Sequence, residues 1–215
     1  MNISEIEDFA DVLHLKGNDR DRICTTLANF PPPCTSRGMF ATGVLEAVAR
    51  KCGQTVADEI RERAGYPANI TSFFLYPHQN FYRLFYASAV AMYPNESMGV
   101  GMRRIAESFY PIFSETLVGR TMGALIGKTP ETVLRRFVEA YKIATPWNEH
   151  VISAGTIADG VVWKCKVEPC HFYPDTFSGI CTGMVRAVTG ITPQFTVLSR
   201  EPATDHQRLT FQIRW

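Results

Sequence analysis

Apolar residues recur three and four positions apart through the first two-thirds of the chain, and at every second position after that. Phe40, Val44, Leu45 and Val48 make one stripe at helical spacing. Val56 and Ile60 make a shorter one that ends at Gly65, with Pro67 just beyond. Pro77 opens the next segment and Pro94 closes it. Between them Phe81, Leu84, Phe85 and Val90 stand among Tyr82, Tyr86 and several alanines, and a helix so apolar on most sides is expected to be buried. Ser97 caps a further expected helix that carries Met98, Met102, Ile105 and Phe109 and is interrupted at Pro111, after which Leu117, Val118, Met122 and Leu125 resume the period. Thr129-Pro130-Glu131 is a helix start: a capping hydroxyl, proline at the first helical position, then an acid near the positive end of the dipole. That helix should bury Leu134, Phe137, Val138 and Tyr141.

Beyond Thr145-Pro146-Trp147-Asn148 the period changes to two. Val161, Trp163, Cys165 and Val167 alternate with Val162, Lys164, Lys166 and Glu168, as a strand with one buried face should. Val151 to Ile157, before Asp159-Gly160, reads as its hairpin partner. A helix capped near Asp175 follows, with Phe177, Ile180, Cys181, Met184, Val185 and Val188 inward and Gly190 as its stop. Phe195 to Leu198 forms one more strand. Leu209, Phe211, Ile213 and Trp215, alternating with Arg208, Thr210, Gln212 and Arg214, form the last. The expected fold class is therefore α+β: helices over the first two-thirds, then a β-β-α-β-β antiparallel sheet whose apolar face packs on helices. Pro31-Pro32-Pro33 must be extended. It separates an N-terminal helical arm, residues 1–30, from a single α+β domain over residues 31–215.

Composition changes this picture little. Of 215 residues 46% are hydrophobic and 20% charged, and Lys plus Arg, 22, nearly balances Asp plus Glu, 21. A net charge of +1 supplies no global attraction to nucleic acid or an anionic membrane. The first residues lack the apolar core of a secretory signal, and the longest uncharged apolar run, Leu84 to Tyr93, is about half of a bilayer span. A cytoplasmic protein is expected, with its six cysteines as thiols.

Candidate chemistry is sparse. Cys165, Cys170, His171 and Cys181 are the clustered metal-ligand types, but the spacing is too loose for a zinc site, and Cys165 and Cys181 sit on apolar stripes. Their position, where strand, loop and helix meet, points instead to the mouth of a pocket. Gly123 to Thr129 resembles a phosphate loop that is one residue short and follows a helix rather than a strand, so no phosphate site is expected there. Phe81, Phe85, Tyr141 and Trp163 either line a hydrophobic-ligand cavity or simply pack the core. Arg37, Arg83 and Arg120 either meet an acidic group of a bound molecule or pair on the surface. No catalytic motif is readable and no metal site is expected.

Several segments, in order, resemble a family of uncharacterised proteins found mainly in myxobacteria. They are Ser36-Arg37-Gly38-Met39-Phe40 leading into Gly43-Val44-Leu45-Glu46, Tyr76-Pro77 before Phe81-Tyr82-Arg83-Leu84, and Ser114-Glu115-Thr116-Leu117-Val118-Gly119-Arg120. The segment 172–183 and the closing Phe211-Gln212-Ile213-Arg214-Trp215 complete the set. The family is a domain of unknown function, so the resemblance implies no reaction. More distantly, the chain is similar to the superfamily of haem–nitric-oxide-binding domains, vinyl-reductase-type sensor domains and vesicle-tethering subunits. That similarity implies a helical body, a small antiparallel sheet, and a glycine-rich last helix such as Phe177-Ser178-Gly179-Ile180-Cys181-Thr182-Gly183. It also implies that a haem would take its axial histidine from the helix after Gly119-Arg120. Here that helix reads Phe137-Val138-Glu139-Ala140-Tyr141-Lys142, without histidine. Tyr141 belongs to its buried stripe, so conventional haem is disfavoured and the cofactor stays unnamed.

The expected function is a small-molecule-binding or sensory module with an apolar pocket between sheet and helices, lined by Phe81, Phe85, Tyr141, Trp163, Cys170, His171 and Cys181. Its partner would be a small hydrophobic or amphipathic molecule. The alternatives are a protein-interaction or scaffold module of the same fold, with an isologous homodimer face, or a small-metabolite or metal-dependent enzyme.

Overall fold

The computed structural model describes residues 3–15, 17–31, 34–115, 127–145, 147–154 and 160–215. Helices α1 (Ile3–Val12) and α2 (Gly17–Ala28) lead to the short strand β1 (Thr35–Arg37), then to α3 (Gly38–Cys52) and α4 (Gln54–Arg63). Strand β2 (Leu75–Pro77) runs into α5 (His78–Met92), which is followed by α6 (Met98–Glu115) and α7 (Pro130–Ala144). The remainder is β3 (Glu149–Ala154), β4 (Gly160–Val167), α8 (Tyr173–Thr189), β5 (Gln194–Pro202) and β6 (Gln207–Arg214). The α+β class and the β-β-α-β-β order are as the periodicity indicates.

The main sheet has the order β3-β4-β6-β5, antiparallel throughout. The period-2 pattern sets its register: Trp163 stands opposite Ile152 on one side and Phe211 on the other. Alternate residues Val161, Trp163, Cys165 and Val167 of β4, and Gln207, Leu209, Phe211 and Ile213 of β6, are buried beneath the helices. A bulge between Val197 and Ser199 lets β5 run on to Pro202, past the Leu198 expected as its end. Strands β1 and β2, paired antiparallel, were not anticipated, because three residues each is too short for alternation to register.

Helices α1 and α2 pack on the body. Ile6, Phe9, Leu13, Ile23 and Leu27 join the common core, Gln79 Nε2 donates to the Leu27 carbonyl at 2.6 Å, and the Arg83 guanidinium lies 5.0 Å from the Phe9 ring. Helix α5 is buried along most of its length, from His78 to Met92, as its composition requires.

Helix α6 corrects one expectation: it continues through Pro111 instead of breaking there. Proline removes the donor that Glu107 would have used. The freed Glu107 carbonyl lies against Gly183 of α8, where a Cβ would stand only 2.8 Å from its carbon. One lost hydrogen bond is thus placed where another helix backbone seats, and the helix persists. The expected continuation at Leu117, Val118, Met122 and Leu125 lies outside the described residues, as does most of the phosphate-loop-like segment.

Thr129 caps α7 as anticipated: its hydroxyl accepts from the Thr132 amide, and Thr132 returns the contact to the Thr129 amide. Thr129→Ala should therefore cost about 1 kcal/mol in urea denaturation. Helix α8 starts at Tyr173, two residues before the expected cap at Asp175, because Pro174 already suits the first turn. Gly190 ends it in the left-handed conformation, at φ 74.

Candidate functional site

Two buried clusters lie where the helical part meets the sheet. The inner one is aromatic. Trp163 of β4 touches Phe177 of α8 with ring centroids 4.8 Å apart, and Phe211 of β6 meets the same ring at 4.8 Å. Tyr141 of α7 lies 4.6 Å from His150 of β3, whose Nδ1 accepts the indole N–H of Trp163 at 3.1 Å. Cys165 and Cys181 complete this layer. Burial pushes the Cys165 thiol up to about 12 and raises that of Cys181. Both stay protonated at neutral pH and behave as small apolar groups.

The second cluster centres on Glu168, just past the end of β4. Strand alternation predicts a solvent-facing residue here, but Glu168 is buried, with 2% of its surface exposed. The strand ends at Val167, so the alternation that would have pointed Glu168 outward no longer applies. Four side chains from three separate stretches of the chain converge on it. His78 Nε2 at the start of α5 lies 3.4 Å from Oε1, and the Tyr82 hydroxyl, one turn later, donates to the same oxygen. Asn148 Nδ2, just before β3, donates to Oε2 at 3.3 Å. Gln207 Nε2, on β6, donates to the Glu168 and Cys170 carbonyls at 2.8 and 2.7 Å.

Burial pushes the Glu168 carboxyl upward. The hydrogen bond and charge of His78, with the Tyr82 hydroxyl, outweigh it and hold the pKa below the usual carboxylate value. Glu168 is therefore an anion in the interior at neutral pH. Phe30 and Trp147 close the cluster, with rings 5.5 and 5.0 Å from His78, and Trp147 is anchored by its indole N–H on the Thr35 carbonyl at 2.9 Å.

The candidate residues distribute unevenly over these clusters. Tyr141, Trp163 and Cys181 fall in the aromatic layer. Phe81 stacks on His78 at 5.5 Å and meets Phe85 at a tilt with ring centroids 5.1 Å apart, forming a wall of the Glu168 cluster. Cys170 is fully buried with its sulfur 3.5 Å from the Tyr86 hydroxyl, and burial pushes its thiol up to about 12. His171 is more exposed, and its carbonyl accepts from Arg200 at 3.2 Å. Arg37 donates to the Phe73 carbonyl at 2.7 Å, and Arg83 lies over Phe9, away from both clusters. Arg120 lies outside the described residues. Glu168, His78, Asn148 and Gln207 were not singled out. One signal was present: Gln207 occupies the inward phase of Leu209, Phe211 and Ile213, where a polar residue needs a buried partner.

A profile of a protein family matches residues 31–215; it is described as Protein of unknown function (DUF2378). The chain belongs to this family. No curated protein sequence matches this DUF2378 member. Solved structures of haem-containing domains share its fold. An oxygen-binding H-NOX domain related to soluble guanylate cyclases superposes with a TM-score of 0.65 at 15% identity, covering 83% of this chain and 94% of that one. A phenylalanine mutant of T. tengcongensis H-NOX gives 0.64 at 16% identity, covering 83% and 96%. A structure solved to study porphyrin distortion and haem redox potential gives 0.65 at 16%, covering 83% and 99%. At this identity the likeness is one of fold.

The residues of this DUF2378 chain do not fit a porphyrin laid between the sheet and helices α7 and α8. Tyr141 meets His150, and Phe177 meets both Trp163 and Phe211, in direct ring contact. An inserted macrocycle would have to part those rings by its own thickness. Among the described residues, no group of three or more His, Cys, Asp or Glu side chains could hold a metal ion, and no helix is long and apolar enough to cross a membrane.

Proposed function

We propose that this protein is a small-molecule-binding, sensor-type module whose ligand-receiving site is the Glu168 cluster. One observation carries the reading: His78 Nδ1, Asn148 Oδ1 and Gln207 Oε1 are all buried without a hydrogen-bond partner. Buried polar atoms are normally satisfied, and three orphans from three separate stretches of the chain around Glu168 mark a place for a bound molecule or ordered water.

The chemistry of the occupant follows from the donors already spent. An ionised carboxylate only accepts, so Asn148 must turn its NH2 to Glu168 and present its oxygen. Gln207 does the same because its NH2 serves two carbonyls. Two amide oxygens call for a small polar molecule with N–H or O–H donors, and the His78 ring nitrogen, which donates when the ring is charged beside Glu168, calls for an acceptor on the same molecule, as in an amide or a polyol. The aromatic lid of Phe30 and Trp147 would exclude water once it is seated. Cys170 adds no nucleophile, since its thiol stays protonated.

Thermal-shift screening of such compounds, followed by Trp147 fluorescence, tests this. A ligand at a hundredfold excess over its Kd should stabilise the protein by about 2.7 kcal/mol. Gln207→Leu and Glu168→Gln should abolish the shift. The reading fails if no donor-rich compound binds and a high-resolution structure shows ordered waters alone on all three atoms.

A further inference from the structure

The pleat that builds the core also sorts the buried polar residues of the sheet into rows. His150 of β3 stands opposite Cys165 of β4, which stands opposite Leu209 of β6. In the next row Val167 stands opposite Gln207, and Asn148, one residue beyond the Glu149–Lys166 pair, lies on the other side of Val167. Asn148, His150 and Gln207 are all buried, so both rows face the helices. Two residues of strand rise, roughly 7 Å, separate the rows. The orphaned oxygens of Asn148 and Gln207 thus belong to one row, and His150 to its neighbour.

That second row carries an unpaired donor. Burial lowers the pKa of His150 to about 4, so its ring is neutral at pH 7 and holds one ring proton. The Trp163 indole can only donate, and it donates to Nδ1, so the proton is on Nε2. Nε2 is buried without a hydrogen-bond partner, and so is the hydroxyl of Tyr173, the first residue of α8. Tyr173 lies beside the Tyr141 hydroxyl and the Cys165 thiol but makes a hydrogen bond with neither. Those two residues are also neighbours of His150, Tyr141 by ring contact at 4.6 Å and Cys165 across the ladder, so both orphaned groups belong to one locality. Packing does not account for the hydroxyl. The Tyr173 ring stacks on Phe177 at 5.7 Å, a contact that phenylalanine would make equally well.

We propose that His150 and Tyr173 form a second end of the ligand site, where Nε2–H and O–H donate to a carbonyl oxygen of the molecule whose own donors meet Asn148 and Gln207. The inference rests on the Glu168 reading and narrows its ligand to a two-ended one. The charge of that ligand follows from the surroundings. The Glu168 anion is felt at His150, Tyr141 and Tyr173 alike, and neither donor is cationic. A carboxylate seated there would be a second buried anion without compensation, whereas a neutral carbonyl carries no such penalty. The class is therefore a short neutral molecule with a carboxamide or hydroxyl at one end and a carbonyl about one row spacing away. Two carboxamides joined by one to three methylenes have that form.

NMR titration of the full chain with acetamide, which fills one end, and with malonamide, succinamide and glutaramide, which reach progressively further, tests this. One of the diamides should bind about tenfold more tightly than acetamide, the gain expected of two added hydrogen bonds. Tyr173→Phe and His150→Asn should each remove most of that gain and leave acetamide binding as it is. Succinamate, with a carboxylate at one end, should bind no better than acetamide. Without any ligand, Tyr173→Phe should keep or raise the Tm, because it deletes an unpaired buried hydroxyl. A marked fall in that Tm shows the hydroxyl to be satisfied already and overturns the inference, as does a diamide gain that survives both substitutions. Acetamide binding that Gln207→Leu abolishes, with no gain for any diamide, overturns it while leaving the Glu168 site in place. Binding by none of the probes overturns it too, and ordered waters alone on all five orphaned atoms would take the Glu168 reading with it.

Discussion

Gly183→Val should destabilise the protein by about 4 kcal/mol or more, the largest effect expected of any single substitution described here. Helix α8 rests on α6 through two glycines one turn apart. A Cβ on Gly179 would stand 2.8 Å from Ala106 Cβ, and one on Gly183 would stand 2.8 Å from the Glu107 carbonyl carbon. The obstacle at Gly183 is backbone, which cannot rotate aside as a side chain can, so the helices must separate along their whole contact. Intrinsic propensity works the other way, since alanine is favoured over glycine by about 1 kcal/mol inside a helix. Gly183→Ala therefore separates the two effects by sign. A free helical surface would gain stability, whereas this contact should lose about 2 kcal/mol net. Urea denaturation at neutral pH reads both variants, and a gain for alanine would refute the close approach.

Acidification should remove about 3 kcal/mol of stability between pH 6.5 and about 4, with His150 as the principal group. Burial lowers its pKa from 6.5 to about 4, against the smaller opposing influence of Glu168 and aided by Lys142. The Trp163 indole N–H occupies Nδ1, so a second proton could be taken only by breaking that bond. The unfolded chain binds a proton on this histidine near pH 6.5 and the folded protein does not. The stabilisation is therefore complete above pH 6.5 and is lost as pH falls toward the folded value. Glu168, whose carboxyl is held low in the fold, adds a second loss below its ordinary value of 4.5. His150→Asn keeps an acceptor for the indole and removes the titration. Its stability should fall less from pH 6.5 down to about 5 than that of wild type, the remaining slope coming from groups such as His171, whose pKa burial also lowers. Equal slopes in the two proteins would exclude His150 as the source.

Glu168 shows where pattern reading stops. Alternation along Val161 to Val167 assigned Trp163 and Cys165 inward correctly, and extending it one residue turned Glu168 outward. The error arises because the pleat ends with the last ladder pair, Val167 opposite Gln207, and the chain then turns inward. His78 offered no periodic signal either. It stands at the first turn of α5, ninety residues from its carboxylate partner, and only the docking of that helix on the β4–α8 loop joins them. Cys170 and His171, adjacent in sequence, go to opposite fates, one sealed beside Tyr86 and the other toward Arg200 and the surface.

Helical spacing, a change of period after Trp147, and turn residues such as Thr129 and Gly190 depend on neighbours a few residues away. These were enough to establish the α+β class, the strand order along the chain and most of the core. Which polar groups become buried together, and which apolar ones stay in water, depends on contacts between elements far apart in sequence. The charge at Glu168, the orphaned atoms around it and the seat of α8 on a proline-freed carbonyl arise only when those elements close on one another. The free energy of each such group is set by what surrounds it in space.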